Sequence, residues 1–181
     1  MIYMFLADGF EEIEALATLD ILRRGSLEVT TVGVTGKQVS GSHNIKVIPD
    51  IFIDDISDYT SVTGVILPGG IPGTPNLEAN EKVISLIKYC QENNKFIGAI
   101  CAAPSVLGHL GVLKGKKSTC YPGYEKELQG AVIGENSVEV SDNVITAKGA
   151  GVSFDFGFAI LEKFKGSIVV EELKKSMQCR I

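Results

Sequence analysis

One cysteine lies at the junction of a strand-like and a helix-like stretch in FIGAICAAPSVLGHLG, residues 96–111. Such a junction turns sharply, holds its central residue in a strained backbone conformation and points that side chain outward. Alanines around Cys101 leave room for the turn, and the N-terminus of the following helix favours a thiolate over a thiol. We therefore expect Cys101 to have a lowered pKa and to act as a nucleophile. A buried, inert cysteine is the alternative, because cysteines are among the most often buried residues.

Backbone groups from two segments could hold the oxyanion that forms when such a thiolate attacks a carbonyl group. Gly69 and Gly70, in VILPGG, end a strand-like run and leave their backbone N–H groups open to a ligand. The backbone N–H of Ala102 directly follows the thiol in the chain. Together these groups predict an oxyanion hole beside Cys101. A PGG sequence by itself is more often an ordinary turn at the end of a strand.

The acidic segment GFEEIEAL, residues 9–16, supplies a candidate for proton transfer. Glu11 and Glu12 are explained by the favourable effect of negative charge near the N-terminus of a helix. Glu14 differs because it lies between apolar residues, and we expect its side chain to point toward the strand ends. A buried carboxyl group has a raised pKa and can stay protonated. Next to Cys101 it could donate a hydrogen bond to the thiolate and move protons during a reaction.

Cysteine hydrolases use a histidine as a base, and the sequence places no histidine close to Cys101. Of the two histidines, His43 falls in a predicted hairpin. His109 follows Cys101 by about 12 Å along a helix, and a positive charge at the helix C-terminus explains it better. The cysteines have no CxxC spacing and no clustered histidines, so we expect neither a metal site nor a cofactor. The other three are Cys90, Cys120 and Cys179.

An alternation of strand-like and helix-like stretches must position these residues. Apolar runs predict strands at 2–7, 28–34, 62–67 and 96–100, and hairpins at 39–47 and 138–147. Periodic stretches predict helices at 11–24, 77–93, 103–111, 154–164 and 168–177. The alternation predicts an α/β fold with a doubly wound, mostly parallel sheet and helices on both faces, an α/β/α sandwich. Because ligands bind at the carboxyl ends of such strands, segments 7–9, 68–70 and 100–101 should converge.

Length and composition limit the class of protein. A chain of 181 residues is enough for one domain over 1–181 but not for two comfortable ones. The net charge of −5 argues against specific nucleic-acid binding. No apolar run approaches the roughly 20 residues of a membrane span, and the N-terminus lacks the basic region of a signal peptide. We therefore expect a cytoplasmic protein with reduced thiols and no membrane partner.

Four motifs together resemble the ThiJ/PfpI superfamily, namely DGFEEIEA, VILPGG, AICAAP and KGAGVSFDFGFAILE. The most similar branch is the parkinsonism-associated deglycase branch with its bacterial YajL-like members. The resemblance covers nearly the whole chain in order, and it implies a flavodoxin-like fold and a homodimer. It also assigns the reactive cysteine to Cys101, its protonated partner to Glu14 and the oxyanion-type glycines to Gly69 and Gly70.

This chain departs from the family pattern at two positions. Many members have a histidine where Tyr121 stands, which disfavours a Cys-His mechanism but leaves a Cys-Glu mechanism intact. Many have an arginine where His43 stands, near the partner subunit. We expect Tyr121 to form a wall of the pocket, with Cys120 as a further candidate for lining it. Residues 149–151 should shape the pocket floor through their backbone.

The resemblance implies a cysteine-dependent glyoxalase or deglycase that needs no glutathione. Its substrates would be methylglyoxal-type 2-oxoaldehydes or their protein and nucleotide adducts, attacked by Cys101 with Glu14 as the proton shuttle. An oxidative-stress sensor or chaperone that acts through oxidation of Cys101 is the alternative. A PfpI-type cysteine peptidase or amidase and a role in thiazole-phosphate biosynthesis are further functions ascribed to members of the family.

Overall fold

A seven-stranded sheet forms the centre of the molecule in the computed structural model, which describes residues 1–179. The strands in chain order are β1 (Ile2–Leu6), β2 (Val29–Gly33), β3 (Val39–Ser40), β4 (Lys46–Val47), β5 (Ile51–Phe52), β6 (Gly64–Leu67), β7 (Phe96–Ile100), β8 (Lys117–Ser118), β9 (Val132–Ile133), β10 (Val138–Ser141) and β11 (Val144–Ala147). The sheet has the order β10-β11-β7-β6-β1-β2-β5, and only β10 and β11 pair antiparallel. The predicted doubly wound, mostly parallel sheet is thus confirmed.

Helices cover both faces of this sheet. They are α1 (Glu12–Arg24), α2 (Gly73–Glu78), α3 (Glu81–Glu92), α4 (Pro104–His109), α5 (Ser153–Lys165) and α6 (Ser167–Ser176). Buried side chains of α1, α5 and α6 form a core with one face, and those of α2, α3 and α4 form a core with the other. Within the described residues, no helix combines the length and the apolar character needed to cross a membrane.

The alternation of side chains along β1 supplies both cores. Tyr3 and Phe5 are buried on the face covered by α3 and α4, whereas Met4 and Leu6 are buried on the face covered by α1 and α5. Successive side chains of a strand point to opposite faces, so a strand buried on both sides must be apolar throughout. This requirement explains why IYMFL contains no polar position that could face water.

The predicted helix at 77–93 is wrong, because two helices occupy this region. Asn80 has an extended backbone, and its side chain accepts hydrogen bonds from the N–H groups of Lys82 (3.0 Å) and Val83 (3.2 Å). An asparagine in this geometry caps the start of a new helix and satisfies its free N–H groups. Helix α2 already starts at Gly73, where glycine and proline concealed it from a propensity-based prediction.

Three neighbouring strands bring the expected segments to one edge of the sheet. Strands β7, β6 and β1 are adjacent and parallel, so their carboxyl ends lie side by side. The chain leaves β1 for β2 on one side and later returns to β6 on the other side, which makes this the point where the winding direction reverses. Segments 7–9, 68–70 and 100–101 follow these strands, and such a crevice is where open α/β sheets bind ligands.

Candidate active site

Cys101 occupies a sharp turn between β7 and α4. Its φ angle is +65°, in the left-handed region that non-glycine residues rarely adopt, at a cost of about 1–3 kcal/mol. Two hydrogen bonds hold the turn: the Cys101 N–H donates to the Ala147 carbonyl (2.9 Å), and the Tyr121 N–H donates to the Cys101 carbonyl (2.8 Å). The predicted strained junction is present, and the side chain is partly exposed to solvent.

Glu14 lies beneath the turn in the first part of α1. Its side chain is buried as predicted, with a residue exposure of only 1%. The Gly69 N–H donates to Oε2 (2.8 Å), whereas Oε1 is buried without a hydrogen-bond partner among the described residues. Burial raises the pKa of Glu14 from 4.5 to about 7; hydrogen bonds with Cys101 and Gly69 lower it and the nearby Glu11 charge raises it. Glu14 therefore exchanges a proton near neutral pH.

Gly69 and Gly70 allow the three segments to approach each other. A Cβ atom on Gly69 would lie 2.6 Å from the Cys101 Cβ and 2.7 Å from the Glu14 Oε2. Gly70 has a φ angle of +94°, and a side chain there would collide with the backbone of residues 9–11. Both glycines are therefore required for steric reasons. The predicted opening of the Gly69 N–H to a ligand is wrong, because this group donates to Glu14 Oε2, whereas the Gly70 N–H faces Cys101.

The predicted lowered pKa of Cys101 is wrong for a thiol that faces an ionised Glu14. Burial, together with the charge of Glu14 and its hydrogen bond, raises the pKa of Cys101 to about 12, while backbone N–H groups of Ala102 and Gly70 lower it. The effects of Glu14 depend on its negative charge, so they are lost when the carboxyl group holds the proton. The two groups thus favour a state in which they share one proton, and the thiolate forms when that proton lies on Glu14.

A pocket of about 180 Å³ opens beside the thiol. It is lined by Gly70, Ile71, Cys101, Ala102, Tyr121 and Tyr124. Tyr121 forms the predicted wall, with 51% of the residue exposed. A Cβ on Gly149 would lie 3.3 Å from the Tyr121 ring, so this glycine borders the ring. Sequence reasoning missed Tyr124, whose only signal is its position in a turn, where its N–H donates to the Tyr121 carbonyl (3.0 Å).

Cys120 does not line this pocket, although its position beside Tyr121 made it a candidate. Only 3% of the residue is exposed, and it packs in the core on the α3 and α4 face. Burial raises the pKa of Cys120 to about 11, with a further contribution from the charge of Glu125. Cys90 is likewise buried in α3, as predicted. Cys101 is therefore the cysteine with access to the pocket.

The explanation of Glu12 as a helix-terminal charge is incomplete. The residue is 4% exposed, and its Oε1 accepts hydrogen bonds from the N–H groups of His43 (2.7 Å) and Ile45 (3.3 Å). Although burial alone would raise it, hydrogen bonds from His43 and Ile45 lower the pKa of Glu12 to about 2. Glu12 anchors the β3–β4 hairpin to α1. The neighbouring Glu11 caps α1 by accepting from the Glu14 N–H (2.7 Å).

Both histidines are engaged away from Cys101. His43 Nδ1 lies 2.9 Å from Glu12 Oε2, and the ring of His109 lies between Glu78 and Glu127. Within residues 1–179, Glu11, Glu12 and His43 form the group whose atoms are close enough to hold a metal ion. Hydrogen bonds within the hairpin already use the oxygens of Glu12, so this group has a structural explanation.

Comparisons with known proteins agree with this geometry. The model of the DJ-1/PfpI family matches residues 1–163. Protein DJ-1 homolog B of Arabidopsis thaliana is 37% identical over 163 residues, which cover 89% of this chain and 37% of that protein. The chain likewise spans only 44% of DJ-1 homolog A from the same plant, so it corresponds to less than half of either relative.

Two further relatives match along nearly their whole length. The protein named glutathione-independent glyoxalase DJR-1.2, from Caenorhabditis elegans, is 33% identical over 168 residues, covering 92% of this chain and 89% of that protein. The solved structure named Toxoplasma gondii DJ-1, oxidized, superposes with a TM-score of 0.94 at 26% identity, covering 99% of this chain and 98% of the other.

Proposed function

The chain belongs to the DJ-1/PfpI family and has its flavodoxin-like α/β fold, and on this basis we propose that it is a glutathione-independent glyoxalase. The observation that carries the proposal is the contact of a partly exposed thiol with a buried carboxyl group that titrates near neutral pH. The substrate is a 2-oxoaldehyde such as methylglyoxal, and the product is the corresponding 2-hydroxy acid. The relative named as a glyoxalase supports the same assignment by similarity.

The first step is the addition of the Cys101 thiolate to the aldehyde carbon. The sulfur–carbon bond forms, the carbonyl π electrons move to oxygen, and the new oxyanion takes the proton that Glu14 holds, which gives a hemithioacetal and leaves Glu14 as a carboxylate. The backbone N–H groups of Ala102 and Gly70 lie at the thiol, where they stabilise negative charge on the sulfur and on the new oxyanion. The thiolate needed for attack is the state in which Glu14 holds the shared proton.

The second step moves a proton between the two substrate carbons. Glu14 removes the proton from the former aldehyde carbon and returns it to the neighbouring ketone carbon, so the first carbon is oxidised and the second reduced. A pKa of about 7 suits this role, because a group with such a pKa both accepts and donates protons at neutral pH. Oε1 has no partner among residues 1–179 and is free to carry the proton.

The third step releases the product and restores the enzyme. The proton transfer leaves a thioester between Cys101 and the 2-hydroxyacyl group, and water cleaves its sulfur–carbon bond to give the free acid and the thiol. Overall, one 2-oxoaldehyde and one water give one 2-hydroxy acid, so no external oxidant or reductant is needed. Deglycation of protein or nucleotide adducts would use the same thiol on an aldehyde that is already attached.

Peptide hydrolysis is not favoured by the same geometry. A cysteine peptidase of the Cys-His type needs an imidazole within hydrogen-bonding distance of the thiol. The side chain that stands in the corresponding wall is Tyr121, and both histidines contact glutamates elsewhere. Sensing of oxidants through Cys101 stays a prediction from the sequence.

The proposal is tested by incubating purified protein with methylglyoxal in the absence of glutathione and measuring lactate. We expect turnover in the unaltered protein and in Cys179→Ala, which removes another partly exposed thiol. Cys101→Ala removes the nucleophile, and Glu14→Gln keeps the shape but removes the proton carrier, so we expect both to lose at least about a hundredfold in kcat. Equal lactate formation by Cys101→Ala and the unaltered protein would refute the proposal.

A further inference from the structure

The pocket beside Cys101 has walls made of two aromatic rings and an aliphatic side chain. Tyr121, Tyr124 and Ile71 form these walls, and the rest of the lining is Gly70, Cys101 and Ala102. We infer that the pocket selects 2-oxoaldehydes that carry one aromatic ring, with phenylglyoxal as the simplest, over methylglyoxal and over nucleotide adducts. The inference rests on the proposed glyoxalase activity and specifies its substrate class.

The size of the pocket fits a single ring. Its volume is about 180 Å³, and an apolar cavity of about 150 Å³ is known to accommodate benzene. Pockets for larger ligands usually begin at about 300 Å³, so this pocket is too small to enclose a whole nucleotide with its base, sugar and phosphate. A methyl group, in contrast, leaves most of the pocket to water and gains little from the aromatic walls.

The two tyrosines are held in place before a substrate binds. The Tyr121 N–H donates to the Cys101 carbonyl (2.8 Å), and the Tyr124 N–H donates to the Tyr121 carbonyl (3.0 Å). The Tyr121 ring borders Gly149, where a side chain would lie in tight contact with it. Because these hydrogen bonds already form the turn that carries both tyrosines, a flat apolar group binds without the entropic cost of ordering that backbone.

The charges around the pocket act against anionic substrates. Within the described part of the chain, none of the residues that line the pocket is a lysine or an arginine. Glu14 lies directly beneath the thiol, and its carboxylate repels a phosphate group. An uncharged aryl substrate needs no cationic partner in the pocket and is not repelled by the carboxylate of Glu14.

The test compares the ratio of kcat/KM for phenylglyoxal, measured as mandelate, to kcat/KM for methylglyoxal, measured as lactate. Using each variant's ratio relative to the unaltered protein removes the intrinsic difference in reactivity between the two aldehydes. We expect Tyr121→Ala to lower this ratio about 3- to 10-fold, the size of one aromatic contact. Tyr121→Phe keeps the ring and should keep the ratio. Tyr59→Ala, a tyrosine packed against Tyr89 outside the pocket, is the matched control.

The outcomes separate this inference from the proposed function. Turnover of methylglyoxal with a ratio that Tyr121→Ala leaves unchanged would overturn the aryl preference and keep the glyoxalase. A total lack of turnover would refute the glyoxalase; binding of the unreactive aryl ketone acetophenone to Cys101→Ala, followed by NMR, then tests the pocket by itself. We expect the ketone to bind, and to bind more weakly once Tyr121→Ala is added. Equal binding of the ketone by Cys101→Ala with and without Tyr121→Ala would overturn the inference. Tyr124→Leu, added to Cys101→Ala in the same way, serves as the second variant in this binding experiment.

Discussion

Among single residues, Gly69 decides how closely Cys101 and Glu14 approach each other. In Gly69→Ala the new Cβ would meet the Cys101 Cβ at 2.6 Å and the Glu14 Oε2 at 2.7 Å, so the pair must separate. We expect a loss of about 1–3 kcal/mol in the free energy of unfolding, as for other overpacked sites, and at least about a tenfold loss of lactate formation. Denaturant unfolding and the lactate assay measure the two effects.

The matched control for this substitution is Gly151→Ala, because Gly151 is not among the residues that line the pocket, contrary to the expectation that residues 149–151 form its floor. A Cβ on Gly151 meets no atom within 4 Å, and its backbone does not require glycine. This variant should keep both its stability and its activity. If Gly69→Ala were as stable and as active as Gly151→Ala, the proposed contact between thiol and carboxyl group would not matter for catalysis.

Glu14 makes the stability of the protein depend on pH. Burial raises its pKa from 4.5 to about 7, so the folded protein holds this proton more tightly than the unfolded chain. The resulting stability is present below about pH 4.5 and is lost as the pH rises through about 7. We expect Glu14→Gln, which carries no charge, to be more stable than the unaltered protein at about pH 8 by roughly 3 kcal/mol.

At about pH 4 this difference should largely vanish, because Glu14 is then protonated in both states. Urea unfolding at both pH values measures the effect, and Glu135→Gln on the surface is the control. A Glu14→Gln variant that is less stable than the unaltered protein at about pH 8 would contradict the pKa shift. The expected gain also means that the carboxyl group is kept at a cost in stability, as is common for catalytic groups.

The sequence predicts the identity of the site residues better than their chemistry. Glu14 stands out because it is an acid between apolar neighbours, and Cys101 because it follows a buried strand. The roles of Glu12 and Tyr124 depend on groups distant in the chain, such as the hairpin at 39–47, and no local pattern reveals them. The pKa of Cys101 depends on where a shared proton lies, which the helix N-terminus alone does not determine.

Among the elements, His109 joins three segments that each begin within two residues of the pocket lining. Its Nδ1 lies 2.6 Å from Glu78 of α2, and its Nε2 lies 2.9 Å from Glu127 in the short 3-10 turn at 125–127. Because both ring nitrogens face carboxylates, the doubly protonated ring fits best, and the hydrogen bonds with Glu127 and Glu78 raise the pKa of His109 above 6.5. This contact stabilises the fold below the pKa of a free histidine and is lost as the pH rises through the raised value.

NMR titration of the imidazole signals measures this effect. The chain has two histidines, so His43→Gln leaves the ring of His109 to be observed alone. We expect its pKa to lie above 6.5 and to fall in Glu127→Gln, which removes the carboxylate with the largest effect. A pKa at or below the value of a free histidine would show that the ring does not lie between the two carboxylates in solution.

The limits of sequence-based prediction are also visible in the elements. Strand β7 is predicted to the residue, because Lys95 precedes the apolar run and the sharp turn expected at Cys101 ends it. The division between α2 and α3 is missed, since it depends on the cap made by Asn80 and on a first turn rich in glycine and proline. Strands β5 and β9 have two residues each, too few for a periodic signal.

For the whole molecule, the most informative sequence-based prediction came from the rule that ligands bind at the carboxyl ends of the strands in a parallel α/β sheet. It placed the ends of β1, β6 and β7 side by side, and the structure has these strands as direct neighbours. The rule cannot give the shape of the pocket, because its walls come from loops at 71 and 121–124 whose paths no periodic pattern describes. The scaffold is therefore predictable from alternation and hydrophobicity, whereas the substrate preference is a property of irregular segments.

The hydrogen bond between Gly69 and Glu14 joins residues that are 55 positions apart in the chain. The site can therefore form only after distant parts of the chain have come together during folding. Closing so long a loop costs entropy that is recovered only once β1 and β6 have paired. A fragment that ends before β6 lacks this partner, and a nascent chain holds Cys101 as an ordinary thiol until the central strands have docked. The complete site, with its oxyanion donors and its proton carrier in position, therefore forms only after these central strands have paired.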